Sequence, residues 1–337
     1  MDEPRIAVLG PTGFTGRLVL AEARAAGVPL RLVGRRREAL QELALPGDEV
    51  RVVDASEPGD AFAGCAAVVS CAGPFLRIGT APVAAAVAAG ADYLDSSGEQ
   101  AWARLLFERF GDAETAVLPC FGFDYVPGDV AARLAAEELE PLGEIVVAYS
   151  ASAAATSRGT RRTVGEIMAQ PVVAWHEGRL VESRLGATTR TVVFPFGARE
   201  VAEFGGAEPL TVPRHTDVRS VRSYMRLGKP AVKAARAARL LAPAIRATAG
   251  LRGIGPDDRK RAATRFVVVA EARGPQGGRR VTLAGSDPYL LTARLLVAGA
   301  RLEPRRAGAL APAEAFDARA LIEAAGGLLR IESVEAI

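Results

Sequence analysis

The opening of the chain constrains it most. An apolar run, Arg5 to Leu9 (RIAVL), leads straight into Gly10-Pro-Thr12-Gly13-Phe14-Thr15-Gly16. Behind it come Leu18, Val19, Ala23 and Ala26, apolar residues at helical spacing. A buried strand, a glycine turn spaced GxxGxxG and a helix form the first half of a βαβ unit. Each glycine has a task in such a turn. Gly10 permits the tight reversal, Gly13 lets backbone approach a pyrophosphate, and Gly16 lets helix and strand pack closely. The free N–H groups and the helix dipole then face the phosphates, with Thr12, Phe14 and Thr15 filling the turn.

The pattern continues for about 125 residues. Apolar strands are expected at 30–33, 50–53, 67–71, 91–94 and 115–118, and helices at 36–45, 82–89 and 102–110. Continuously apolar strands alternating with helices predict an α/β fold, a Rossmann-type doubly wound parallel sheet covered on both faces. After Pro127 the pattern changes. A helix is expected at 129–139, strands at 144–152, 188–196 and 265–272, and a turn at 274–278 leading to a hairpin partner at 280–283. These make a second, α+β domain. The reading gives 1–128 to the cofactor domain and 129–285 to a domain for substrate and any homodimer contacts. The helix at 289–302 and the segment 312–326 are expected to fold back, so that 286–337 completes the first domain.

Composition removes several alternatives. With 49% apolar and 24% charged residues over 337 positions, the chain is neither disordered nor fibrous. Three cysteines without CxxC spacing and two histidines argue against a disulfide scaffold and against a metal site. An acidic N-terminus with no apolar h-region, and no run of about 20 apolar residues, point to a cytoplasmic protein. Only Lys229, Lys233 and Lys260 are lysines, so residues 1–228 offer none for catalysis. Tyr224 and Lys229 are the wrong distance apart for the Tyr-x-x-x-Lys pair of short-chain dehydrogenases.

The end of the second strand chooses between cofactors. An NAD site wants an acid there for the ribose 2′-hydroxyl. Here Gly34-Arg35-Arg36-Arg37 stands instead, and guanidinium binds a 2′-phosphate in a fork. The reading is therefore NADP(H), held by Arg35 and Arg36. Asp54, after strand three, is placed at the adenine side. Cys71, Ala72, Gly73 and Pro74, after strand four, are placed by the nicotinamide ribose, with Cys71 a small loop residue rather than a nucleophile. Reduction also needs a proton donor. Tyr125, after strand six, is the first candidate and Glu99, after strand five, the second. Glu99 also stands three residues after Ser96, as in a capping box, and Asp124 and Asp129 read as helix caps.

Four stretches together resemble the saccharopine dehydrogenase-like oxidoreductases: Gly10–Gly16, Ser70–Phe75 (SCAGPF), Ala91–Glu99 (ADYLDSSGE) and Pro119–Asp129 (PCFGFDYVPGD). Val269–Gly274, Gly285–Ala293 and Gly308–Phe316 are similar to further stretches of that family. The branch most like this chain is that of the trans-acting enoyl reductases of polyketide lipid assembly. The resemblance implies an NADP-binding domain, a second α+β domain and hydride chemistry. Three functions stay open: a reductase of a C=C bond in an enoyl thioester or of a C=N bond, a saccharopine dehydrogenase-type imine dehydrogenase, and a non-catalytic NADP-binding regulator. Arg158 and Arg161, in a polar loop at 156–163, are candidates for clamping a substrate carboxylate. Residues 219–265 carry a net charge of +11 in a chain of +3. Lys229, Lys233 and Arg236 share one helical face there, which suits an acidic acyl carrier or an anionic membrane surface. Nucleic acid is not expected, because no aromatic-rich motif accompanies the charge.

Overall fold

The computed structural model describes residues 4–152, 172–226 and 256–337. Two compact units emerge. The first comprises residues 1–97, 101–123 and 289–310, and the second 98–100, 124–288 and 311–337.

The first unit opens with β1 (Ile6–Leu9), α1 (Phe14–Ala25), β2 (Leu30–Gly34), α2 (Arg37–Gln41), β3 (Glu49–Val52) and β4 (Ala67–Ser70). Then come α3 (Phe75–Ile78), α4 (Thr80–Ala88), β5 (Asp92–Asp95), most of α5 (Gln100–Arg109) and β6 (Ala116–Leu118). All four residues of β1 and of β4 are buried, as a sheet covered on both faces requires. β1 pairs in parallel with β2 on one side and β4 on the other, Val8 lying opposite Leu32 and Val69. Arg31, 6% exposed within β2, is compensated by Glu49 and the carbonyls of Ala61 and Ala63. Leu9, Phe62, Val68, Tyr93, Trp102 and Leu106 lie in its main apolar cluster.

The second unit continues with α6 (Val126–Ala136), β7 (Leu142–Ala151), β8 (Val172–His176), β9 (Arg179–Ser183), β10 (Thr189–Phe194), β11 (Gly197–Glu203), α7 (Glu208–Thr211) and β12 (Val218–Met225). It proceeds through α8 (Asp258–Ala263), β13 (Arg265–Gly274) and β14 (Gly277–Ser286). The chain then returns to the first unit in α9 (Pro288–Gly299) and β15 (Gly308–Ala309), and ends with α10 (Pro312–Ala315), α11 (Ala318–Ala324) and β16 (Leu329–Ala336) in the second. Among the described residues, the first sheet has seven parallel strands in the order β15-β6-β5-β4-β1-β2-β3. The second has nine, with β10-β11-β12-β7-β13-β14-β16 along its path and the β8–β9 hairpin joined to β12. It is mixed, since β12 runs parallel to β7 while β13 runs antiparallel to it. α6 is almost wholly buried and packs on β13, β14 and β7.

The fold class is the one expected, and three details differ. The segment 312–326 belongs to the second unit, where α10 and α11 pack on α6 and β16 pairs with β14. Its apolar residues therefore serve α6, not the first sheet. Six described strands, β8, β9, β11, β12, β15 and β16, escape the sequence pattern; β15 has only two residues, and buried and exposed positions alternate irregularly in β12 and β16. The basic segment starts in β12, whose Val221 is fully buried, and Lys229, Lys233 and Arg236 lie outside the described residues.

Candidate functional site

The glycine turn stands at the carboxyl ends of the central strands. Gly10 takes φ +80°, and a Cβ on it would press to 3.1 Å from Ala72 in the loop after β4. A Cβ on Gly16 would overlap the Gly10 carbonyl oxygen and lie 2.8 Å from Pro11 Cα, so that position admits only glycine. Gly13 N–H donates to Gly10 O at 3.2 Å, closing the turn. The start of α1 is informative. Its N-cap is Gly13, without a side-chain cap, and its first turn carries no acid. In the same chain α8 and α11 are capped by Asp257 and Asp317. Uncapped N–H groups with no competing carboxylate are what an incoming phosphate needs. The residues present therefore fit a dinucleotide.

The cationic side chains gather here. Arg36 Nη2 donates to Thr12 Oγ1 at 3.1 Å, and Arg17 Nε to Thr12 O at 3.4 Å. Arg35 Nη1 lies 3.8 Å from Asp54 Oδ2, and its side chain is 76% exposed. Hydrogen bonds from Ser56, with Arg35 nearby, hold the Asp54 carboxyl below its usual value. Thr12, Arg35, Arg36 and Asp54 thus form one rim over β1, β2 and β3. Arg17 joins them and escapes the sequence reading; its signal is its place in the first turn of α1. Phe14, Thr15 and Gly16 form the start of α1, which begins two residues before the Gly16 expected from the sequence.

The loop after β4 is also close. Cys71 N–H donates to Leu9 O at 2.8 Å, Ala72 faces Gly10, Gly73 precedes a cis Pro74, and Phe75 begins α3. Desolvation pushes the Cys71 thiol up to about 12, which keeps it a thiol and not a nucleophile. Asp95, at the end of β5, is fully buried and accepts from Ser97 N–H and Oγ, Trp102 Nε1 and Cys120 N–H. Those donors make it a brace between β5, α5 and the loop after β6.

The second unit holds the acid–base candidates. Tyr125 is 2% exposed, and its hydroxyl donates to Gly98 O at 2.5 Å. Glu99 is 1% exposed and precedes α5, so the capping box with Ser96 does not form. Asp124 and Asp129 do not cap α6 either. The N-cap is Tyr125, and Asp129, inside the first turn, accepts from His215 Nε2 at 2.9 Å and Ala313 N–H at 2.8 Å. Burial favours a neutral Asp129, but His215 and these donors outweigh it and hold the carboxyl below its usual value. Asp124 is the exposed acid of the group, set against Gly98, where a Cβ would lie 2.9 Å from Oδ2. Although water reaches one face, crowding on the others pushes its carboxyl up to about 6. Glu208, which sequence reasoning missed, is fully buried. It accepts from the Tyr149 hydroxyl and from Ser223 Oγ at 2.5 Å, and burial pushes it up to about 7. A Cβ on Gly128 or Gly206 would collide with its carboxylate. Arg158 and Arg161 lie outside the described residues. No group of three or more metal-ligating side chains forms among the described residues, and no described helix is long and apolar enough to cross a membrane.

Comparison with known proteins agrees with this geometry. Residues 10–95 match the family model described as NAD(P)H-binding. This region is a nicotinamide-dinucleotide-binding domain. A trans-acting enoyl reductase of Mycobacterium leprae is 36% identical over 144 residues, covering 37% of this chain and 34% of that protein. A trans-acting enoyl reductase of Mycobacterium tuberculosis is 33% identical over 140 residues, with the same shares. The chain thus spans about a third of the length of the curated relatives it matches. Among solved structures, the saccharopine dehydrogenase (L-Glu forming) of Saccharomyces cerevisiae aligns over 99% of this chain and 100% of its own, with TM-score 0.65 at 13% identity. The described residues share their fold class with that structure, a parallel Rossmann-like sheet and a second, mixed sheet.

Proposed function

We propose that this protein is an NADPH-dependent reductase of a C=C bond conjugated to a thioester, with the substrate presented on an acidic acyl carrier. One observation carries the reading: an uncapped glycine turn ringed by Arg17, Arg35 and Arg36, in a chain 33–36% identical to trans-acting enoyl reductases over part of its length. Bound NADPH would supply hydride to the substrate's β-carbon. The chain's own residues do the rest. The α1 N–H groups and Gly10–Gly16 hold the pyrophosphate, and Arg35 and Arg36 receive the 2′-phosphate in place of the acid an NAD site would use.

Hydride addition leaves an enolate whose α-carbon must take a proton. Asp124 is the donor in this reading, in preference to the Tyr125 hydroxyl, which is spent on Gly98 O, and to Glu99, which is buried. It is exposed, and with its carboxyl near 6 it remains partly protonated around neutrality. It also lies only six residues beyond Leu118, where β6 ends at the carboxyl edge of the cofactor sheet. The test is NADPH consumption with crotonyl-pantetheine, an imine panel and keto acid–amine pairs across pH. Turnover of the enoyl thioester should fall as pH rises through about 6, and Asp124→Asn should remove that limb and slow turnover by about 10²–10⁴-fold. Consumption with imines alone would make the chain an imine dehydrogenase, and an unchanged pH profile in Asp124→Asn would exclude it as the acid.

A further inference from the structure

Helix α9 is separated from the nucleotide turn by more than 270 residues of sequence, yet the fold clamps it against that turn. Arg294 Nε donates to Glu22 Oε2 of α1 at 2.7 Å. Thr292 Oγ1 accepts from Phe123 N–H at 3.0 Å, and its methyl group would stand 2.7 Å from a Cβ on Gly122. Gly299 lies so close to Phe121 and Leu94 that a Cβ there would come within 2.6 and 2.8 Å of their side chains. These contacts, all inside the first unit, fix α9 along its length. They hold its first turn at the carboxyl edge of the parallel sheet, between the end of β1 and the loop after β6.

That first turn carries Tyr289. Its ring meets Phe14 of the glycine turn edge-on, with centroids 5.0 Å apart and planes at 88°. Both rings are half-buried. Phe14 is the first residue of α1, directly after Gly13, so the pair stands beside the N–H groups that fit a pyrophosphate. A phenol has a flat apolar face and a hydroxyl donor, which suits the junction between a charged pyrophosphate and a ribose.

We propose that Tyr289 is a cofactor-binding residue: with Phe14 it forms an aromatic wall beside the glycine turn, against the pyrophosphate and nicotinamide ribose of the bound dinucleotide. This rests on the nucleotide reading given above and adds a contact from a distant part of the chain. The adenosine half, reached by Arg35 and Arg36 over β2, lies outside this wall.

Equilibrium titration of the full chain with NADPH and, separately, with 2′,5′-ADP tests the assignment without turnover. Tyr289→Ala should weaken NADPH by about tenfold, the loss of one aromatic contact and its hydroxyl partner. It should leave 2′,5′-ADP unchanged, and Tyr289→Phe should fall between wild type and Ala for NADPH. Unchanged 2′,5′-ADP binding also shows that the variants are folded. Equal NADPH affinity in wild type and Tyr289→Ala overturns the assignment while the nucleotide site stands. Parallel loss of both ligands overturns it too, because Tyr289 would then act only by supporting the turn. Wild type binding neither ligand overturns the nucleotide reading and this wall with it.

Discussion

Glu208 offers a test of the second unit that needs no substrate. Its carboxyl is fully buried, touched by Tyr149 and Ser223, and pushed from 4.5 to about 7 by the loss of water. In the unfolded chain it titrates as an ordinary glutamate. Between these values the folded protein keeps a proton that the unfolded chain has released. Stability from this group is therefore complete below about 4.5 and declines as pH rises, levelling off once the folded group ionises near 7. A shift of that size, at about 1.36 kcal/mol per unit, amounts to roughly 3 kcal/mol. Glu208→Gln keeps the shape and a hydrogen-bonding oxygen but cannot ionise. Urea unfolding of both proteins at closely spaced pH values gives the difference directly, since other carboxylates titrate alike in both and cancel. Wild type should lose roughly 3 kcal/mol relative to the Gln variant between pH 4.5 and 7.5. A difference that stays flat with pH would show that Glu208 is solvated or paired with a cation, and the account of this buried group would fail.

Other consequences follow at the nucleotide site. Gly16→Ala forces a Cβ into the Gly10 carbonyl and Pro11, so it should cost about 1–3 kcal/mol of stability and abolish NADPH binding. A variant that melts and binds like wild type would refute the close packing of that turn. Arg35→Ala removes a charge-assisted contact worth about 1.5–3 kcal/mol, so NADPH should weaken by roughly 10- to 100-fold while NADH is nearly untouched. Tight NADH binding by the unmutated protein would instead favour NAD and leave Arg35 to its partner Asp54.

The first unit was legible because its signals are local. A strand, three glycines and a helix sit within some 20 residues, and β1 and β4 bury every side chain. Arg36 meets Thr12, and Arg35 meets Asp54, because consecutive strand ends in a parallel sheet point to one edge. The second unit was less readable. Its strands alternate imperfectly, and β12 pairs in parallel with β7 some 75 residues earlier. Glu208 looks like any surface glutamate in sequence. Only the fold brings Tyr149, Ser223, Gly128 and Gly206 around it. Asp124 and Asp129 beside Pro127 have the composition of a helix start, yet α6 begins so that neither can cap it. The return of this helix to the first unit was expected, but nothing in the sequence says that its first turn sets Tyr289 against Phe14.

The account stands or falls on hydride transfer. The most direct measurement uses NADPH carrying deuterium at the transferable position, incubated with the protein and crotonyl-pantetheine, with the product read by mass spectrometry and NMR. The account predicts one deuterium at the β-carbon of a saturated butyryl thioester and a solvent proton at the α-carbon. NADPH that binds at the glycine turn but delivers no label to any enoyl thioester or imine would contradict it, and would make this chain a nucleotide-binding protein rather than a reductase.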